Sequence, residues 1–286
     1  MSVIDTHVHL WDPAARSYPW LATPGLEALN RAYSDSDFAA AADGIGLSGG
    51  VFVECDPAPS DALDEARFAL YLASRPKSGL LGVVARVAPE STTFAADLAA
   101  LLALPGADSR LKGARRVLHT QPDDLSRSPG FRENVRALGR SGLSFDLCVL
   151  ARQLPAAHEL AAACPEVGFI LDHCGMPDVK GRALDPWRAD IAAIARLPNV
   201  SCKISGLVAY AAHDWTEDDL RPFVDQTLAS FGWDRVLFGG DWPVCLLGAP
   251  LVRWHATLSS LVATASPDQR DRLFRRNARR IYRLDP

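Results

Sequence analysis

Short apolar runs recur along the chain, separated by longer Ala- and Leu-rich stretches whose apolar residues return at helical spacing. Eight of the short runs read as strands: VIDTHVHL (3–10), GVFVECD (50–56), LLGVVARV (80–87), LKGARRVLH (111–119), LSFDLCVL (143–150), VGFILDH (167–173), VSCKISGL (200–207) and RVLFGGDW (235–242). SDALDEARFALYLAS, TTFAADLAALLALP, DPWRADIAAIARLP and TEDDLRPFVDQTLASF read as helices, and two more helical stretches close the chain, the last being SPDQRDRLFRRNARRIYRL. Repeated βα units over this length predict an α/β fold, a closed parallel (β/α)8 TIM barrel with an extra C-terminal helix, as one domain over residues 1–286. An open doubly wound sheet is the alternative, but no GxGxxG turn follows the first strand.

The connections point the same way. Segments from helix into strand are brief (RPKSG, RSG, CPE, LPN, GWD), whereas WDPAARSYPWLATPGLEALNRAYSD after the first strand and PVCLLGAPLVR after the last are long. In such a barrel, catalytic groups gather at the carboxyl ends of strands and on the loops that follow. His7, His9, Arg115, His119, His173, Lys203 and Asp241 all fall there.

Alternation along a strand puts Asp5, His7 and His9 on one face, and two imidazoles at i, i+2 can reach one zinc-like ion. Two strand histidines held as hydrogen-bonded core groups are the plainer reading. Asp241 shares a face with Leu237 and Gly239, and barrel closure would bring it beside His7 and His9, as a metal ligand or as the base for a water. An Asp capping the following Trp-Pro turn is the alternative. His173, on the parity of Phe169 and Leu171, could polarise a carbonyl, orient water or join the metal; otherwise it pairs with Asp172. Arg115 and His119 share a face with Gly113, and a guanidinium aimed into a pocket suits a carboxylate or a polarised carbonyl. Arg116 faces the other way and reads as structural, Lys203 and Asp146 as an inward ion pair, and Glu54 as a further metal ligand. His158, His213 and His255 read as surface residues. Trp11, Tyr18, Trp20 and Trp242 could stack on a flat substrate face, although core packing suits each of them singly.

Composition narrows the class. The chain has 286 residues, 48% of them apolar, and carries 30 Lys and Arg against 34 Asp and Glu, a net charge of −4. No basic run invites nucleic acid or anionic membrane, and no secretory pattern or membrane-length apolar segment occurs. A cytoplasmic location and a small-molecule partner are expected; oligomeric state leaves no signal. The six cysteines lack CxxC spacing and read as reduced thiols, most of them core filler.

The motifs DTHVHLWDP with YPWL, KGARRVLH, FDLCV, LDHCGMP, KISGL and FGGDWPV, in that order, resemble the amidohydrolase superfamily. The resemblance is closest to its TIM-barrel branch of sugar-acid lactonases of the L-fuconolactonase and L-rhamnonolactonase kind. It implies that His7 and His9 are the first-strand HxH pair, His173 the sixth-strand histidine and Asp241 the general base, with Arg115 and His119 facing substrate. It also implies hydrolysis of an aldonolactone, with one divalent ion, zinc first, or without metal. Asp146 stands where many metal-dependent members have a fifth-strand histidine, which counts against two metals. A decarboxylase of the same superfamily and a non-catalytic sugar-acid-binding barrel are the rival expectations.

Overall fold

The computed structural model describes residues 2–284. Its strands are β1 (Val3–Val8), β2 (Leu47–Val53), β3 (Leu80–Arg86), β4 (Leu111–Val117), β5 (Ser144–Cys148), β6 (Phe169–Leu171), β7 (Val200–Ile204) and β8 (Val236–Phe238). They form one parallel sheet in sequence order. The last strand returns to the first: Val8 bridges Trp242, the His9 N–H donates to the Trp242 carbonyl at 2.8 Å, and the Asp241 N–H donates to the His7 carbonyl at 2.9 Å. The expected eight-stranded barrel is present and nearly closed.

The helices are α1 (Asp35–Ala41), α2 (Ala62–Ser74), α3 (Phe94–Leu102), α4 (Ala107–Arg110), α5 (Pro129–Arg140), α6 (Leu154–Ala163), α7 (Trp187–Ala195), α8 (Glu217–Phe231), α9 (Leu251–Leu261), α10 (Pro267–Asp271) and α11 (Asn277–Tyr282). Local chemistry sets their starts. Ser128 accepts from the Phe131 N–H ahead of Pro129, and Thr216 with Asp219 closes a capping box on α8. A π-helical turn, Arg272–Arg276, joins α10 to α11, and Asn277 donates to the Trp233 and Val236 carbonyls at 2.7 and 2.8 Å, which fastens this extra C-terminal segment to β8. Among the described residues, no helix is long and apolar enough to cross a membrane.

Two apolar layers follow from strand alternation. Phe52, Phe145, Phe169 and Phe238 face outward into the large core shared with the helices. Ile4, Val51, Val53, Val84, Ile170 and Leu237 face inward and pack against Ala278, Tyr282 and Leu284, so the terminal helix closes the barrel's floor.

The expected shared face of Asp5, His7 and His9 is not what forms. Asp5 pairs with Gly50 and Val8 with Phe52, three steps on β1 against two on β2, so one extra residue bulges from β1 and reverses its parity. Asp5 turns outward: its Oδ1 accepts the His7 N–H at 2.9 Å and the Gly240 N–H at 2.7 Å, which holds the bulge in place. Strands β6 and β8 are shorter than expected because the backbone leaves extended geometry at Asp172 and at Gly239.

Candidate active site

The bulge delivers His7 and His9 inward at the carboxyl end of β1. Their Nε2 atoms lie 3.1 Å apart, and Asp241 Oδ1 lies 3.8 Å from the first and 3.5 Å from the second. These spacings approach the edge of about 3.3 Å expected of a tetrahedron whose zinc–nitrogen distances are about 2.0–2.1 Å. His9 Nδ1 lies 2.8 Å from the Val53 carbonyl, which can only accept, so Nδ1 carries the hydrogen and Nε2 presents its lone pair. Burial, reinforced by Arg115, pushes His9 down to about 3, and burial also holds His7 and His173 low, so the three imidazoles are neutral near pH 7. Asp241 Oδ2 is buried without a hydrogen-bond partner. Asp241 Oδ1 beside two converging nitrogens, with Oδ2 of the same carboxylate unpaired, is a donor set suited to a divalent cation, so the residues present fit such an ion.

Asp241 reaches this position through a left-handed backbone, φ +55°, after two glycines. A Cβ on Gly239 would stand 2.9 Å from Ser205 Cβ and 3.0 Å from His7 Cβ, so only glycine lets the ends of β1, β7 and β8 crowd together here. Burial raises the Asp241 carboxyl above its ordinary range, against the pull of His173 and Arg115.

His173 also arrives by an unexpected route. Phe169 and Leu171 face the outer core, so parity aims Asp172, not His173, into the barrel. His173 and Cys174 then adopt φ +53° and +54°, and this turn swings the imidazole inward, with Nδ1 2.9 Å from Ser205 Oγ and 3.9 Å from Asp241 Oδ2. The alternative pairing of His173 with Asp172 is not formed. Asp172 is one residue that sequence reasoning missed, although its parity with Ile170 was an available signal. Its carboxylate lies 2.9 Å from Lys203 Nζ, 3.3 Å from Arg115 Nη1 and 3.4 Å from His7 Nδ1. Burial opposes its charge, but these cations and the imidazole hold it well below the carboxylate range. His7, Asp172 and His173 make a second metal-like grouping, one already neutralised by Lys203 and Arg115.

Beneath the imidazoles lies a buried charged tier. Lys203 pairs with Asp146 at 2.7 Å, as expected, and Arg116 turns away to Glu90. Arg115 Nε donates to Glu54 Oε1 at 2.7 Å and its Nη2 to the Glu54 carbonyl at 2.5 Å. Glu54 Oε2 accepts the Asp56 N–H at 2.6 Å, so both carboxylate oxygens are engaged and Glu54 stands outside both metal-like groupings.

Above this tier opens a cavity of about 320 Å³ lined by His9, Arg115, His119, His173 and Asp241 at its base. Trp20, Leu26, Leu29, Met176, Tyr210 and Leu247 form apolar parts of its wall, with Asp56 at one side. Of the four expected stacking aromatics only Trp20 lines it. Trp11, Tyr18 and Trp242 are buried, and Trp11 packs edge-on to Trp20 and Tyr33, while Trp242 packs on Tyr33 and Phe38. They shape the first loop from behind, because its length lets it fold back on its own aromatics. Tyr210, in the loop after β7, was missed; its position past a strand's carboxyl end was the only signal. His119 faces the cavity with Nδ1 3.4 Å from Cys148 Sγ, and burial with Arg115 pushes it down to about 4. His255 is not a plain surface residue: it packs between Phe238 and Phe274. The six cysteines are free and buried, and Cys55 and Cys148 also line the cavity.

Fold and site together define a parallel βα barrel carrying an imidazole–carboxylate centre at the carboxyl ends of its strands. The amidohydrolase family model matches residues 4–284, and the chain belongs to that family. It is 31% identical over 294 residues to the L-fucono-1,5-lactonase of Burkholderia ambifaria, covering 99% of this chain and 96% of that protein. It is likewise 31% identical over 300 residues to the L-fucono-1,5-lactonase of Burkholderia multivorans, covering 98% and 96%. A crystal structure of an amidohydrolase from Burkholderia multivorans with bound zinc superposes with a TM-score of 0.89 at 30% identity over 100% of both chains.

Proposed function

We propose that the protein is a lactonase that opens the ring of a sugar-acid lactone to the hydroxy acid. The observation that carries this reading is Asp241: a buried carboxylate with one oxygen toward His7 and His9 and the other unpaired. The likeness to two L-fucono-1,5-lactonases supports an aldonolactone as substrate.

Asp241 Oδ2 takes a proton from water as the water oxygen attacks the ring carbonyl. Its raised affinity for protons suits it to accept one and to return it to the ring oxygen when the carbon–oxygen bond breaks. His173, steadied by Ser205, donates to the oxyanion of the tetrahedral intermediate. Arg115 is braced by Glu54 and Asp172 and lies 3.3 Å from His7 Nε2, so one Nη2 hydrogen is left to meet the carbonyl side of the ring, and His119 holds a ring hydroxyl. Trp20 and Tyr210 offer flat faces for the sugar carbon skeleton. His7, His9 and Asp241 would hold a divalent ion, zinc by the chemistry of two imidazoles and a carboxylate, and such an ion supplies Lewis acidity at the carbonyl.

The test is a pH-indicator screen of aldono-1,4- and aldono-1,5-lactones with the wild type and Asp241→Asn. Acid release by the wild type is expected, with a loss of about a thousandfold in the variant at an unchanged circular dichroism spectrum. Full activity of Asp241→Asn would reject the mechanism. Carbon dioxide release from an aromatic acid, with no lactone opened, would assign the decarboxylase reading instead.

A further inference from the structure

Tyr282, the last residue of α11, lies on the far side of the barrel from the cavity, in the floor layer with Ile4, Val51, Val84, Ile170 and Leu237. Its ring is fully buried, and among these aliphatic neighbours a hydroxyl is unfavourable unless it finds a partner. The partner is Asp146: Tyr282 donates to Asp146 Oδ2 at 2.6 Å. The same oxygen accepts from Lys203 Nζ at 2.7 Å. The ammonium in turn reaches Asp172 Oδ1 at 2.9 Å and His7 Nδ1 at 3.1 Å. A continuous polar path therefore runs from a helix outside the barrel, through its axis, to an imidazole of the candidate centre.

The position of the ammonium shows why the hydroxyl matters. Lys203 stands between three groups, hydrogen-bonded to Asp146 at 2.7 Å, 2.9 Å from Asp172 Oδ1 and 3.1 Å from His7 Nδ1, so any stronger pull from one draws the ammonium from the others. Asp146 Oδ1 has no partner, which leaves all of that carboxylate's hydrogen bonding on Oδ2, shared between Tyr282 and Lys203. Without the phenol, the negative charge on Asp146 would be answered by Lys203 alone, and the ammonium would be drawn toward β5 and away from His7 and Asp172.

We propose that Tyr282 is a positioning residue: by sharing Asp146 with Lys203, its hydroxyl sets where the ammonium stands and so holds His7 and Asp172 in register for the reaction. This rests on the reading of His7 as part of the reactive centre. It also gives the C-terminal helix a task beyond closing the barrel floor.

The test compares Tyr282→Phe, which keeps the ring and removes only the hydroxyl, with Leu284→Ala, which loosens the same floor without a polar change. The deciding readout is the nitrogen NMR spectrum of the His7 ring, assigned with His7→Asn. The His7 resonances are expected to move in Tyr282→Phe and to stay in place in Leu284→Ala. In lactone turnover, Tyr282→Phe should lower kcat about tenfold with KM within about twofold, while Leu284→Ala lowers Tm and leaves kcat unchanged. Unmoved His7 resonances in a folded Tyr282→Phe protein would overturn the proposal. The spectra decide even if no lactone is turned over, so a failure of the proposed reaction and a failure of this inference are separable.

Discussion

At the scale of single residues, burial sets the charge state where no close ion pair opposes it, whereas at Asp172 the neighbouring cations prevail over burial. His9 and His119 are neutral because desolvation disfavours their cations, and the same effect keeps Asp241 receptive to a proton. Glu65 on α2 shows it outside the candidate centre. Fully buried, it accepts the Cys55 N–H at 3.2 Å, and burial with the nearby Glu54 charge raises its pKa to about 8. A carboxyl raised in the folded state contributes stability that is whole below its ordinary value of 4.5 and is lost as pH climbs through about 8. Glu65→Gln keeps an acceptor for Cys55 and carries no charge. Relative to that variant, the wild type should lose a few kcal/mol between about pH 5 and about pH 9, read from urea midpoints across the range. Parallel pH profiles for the two proteins would contradict it.

At the scale of elements, what matters is how strands end. β1 reaches the site through a bulge, β6 through a left-handed turn, and β8 through two glycines. The Gly240 N–H is one of the two donors that hold Asp5 in the bulge, and a Cβ there would overlap Asp5 Oδ2 and stand 2.6 Å from Leu251 Cδ1. Gly240→Ala should therefore destabilise by about 1–3 kcal/mol in chemical denaturation, as overpacking does. Gly168→Ala, where an added Cβ meets nothing within 4 Å, should change little. Equal midpoints for the two variants would show that the β1–β8 junction is looser than its contacts indicate. Periodicity located all eight strands and the order of the elements, yet simple alternation misassigned Asp5 and overlooked Asp172. Alternation assumes an unbroken ladder, and each of these strands departs from one within two residues of the site.

At the scale of the whole molecule, the barrel brings together groups that are remote in sequence: His7 and His9 near the start, His173 in the middle and Asp241 near the end. A cation held across that junction ties the first strand to the last and should stabilise the folded state. Zinc at a hundred times its dissociation constant should add about 2.7 kcal/mol, seen as a rise in Tm for the chelator-treated protein. A His7→Asn, His9→Asn double variant should show no such rise, and a wild-type Tm indifferent to zinc would argue against an ion at this position.

The amino-acid order alone determined the barrel, because eight apolar runs spaced by helical stretches have few other ways to bury their faces. It also determined the residues at the heart of the candidate site, because unusual side chains stood at the ends of those runs. Tertiary structure alone decided which aromatics look into the cavity: Trp20 does, whereas Trp11, Tyr18 and Trp242 spend their faces on one another or on nearby loops. It also decided that Glu54 serves Arg115, and that Tyr282 reaches Asp146 from the floor. Hydrophobic periodicity is a property of neighbours along the chain, whereas partner choice among buried polar groups depends on contacts between elements that the chain separates by tens to hundreds of residues.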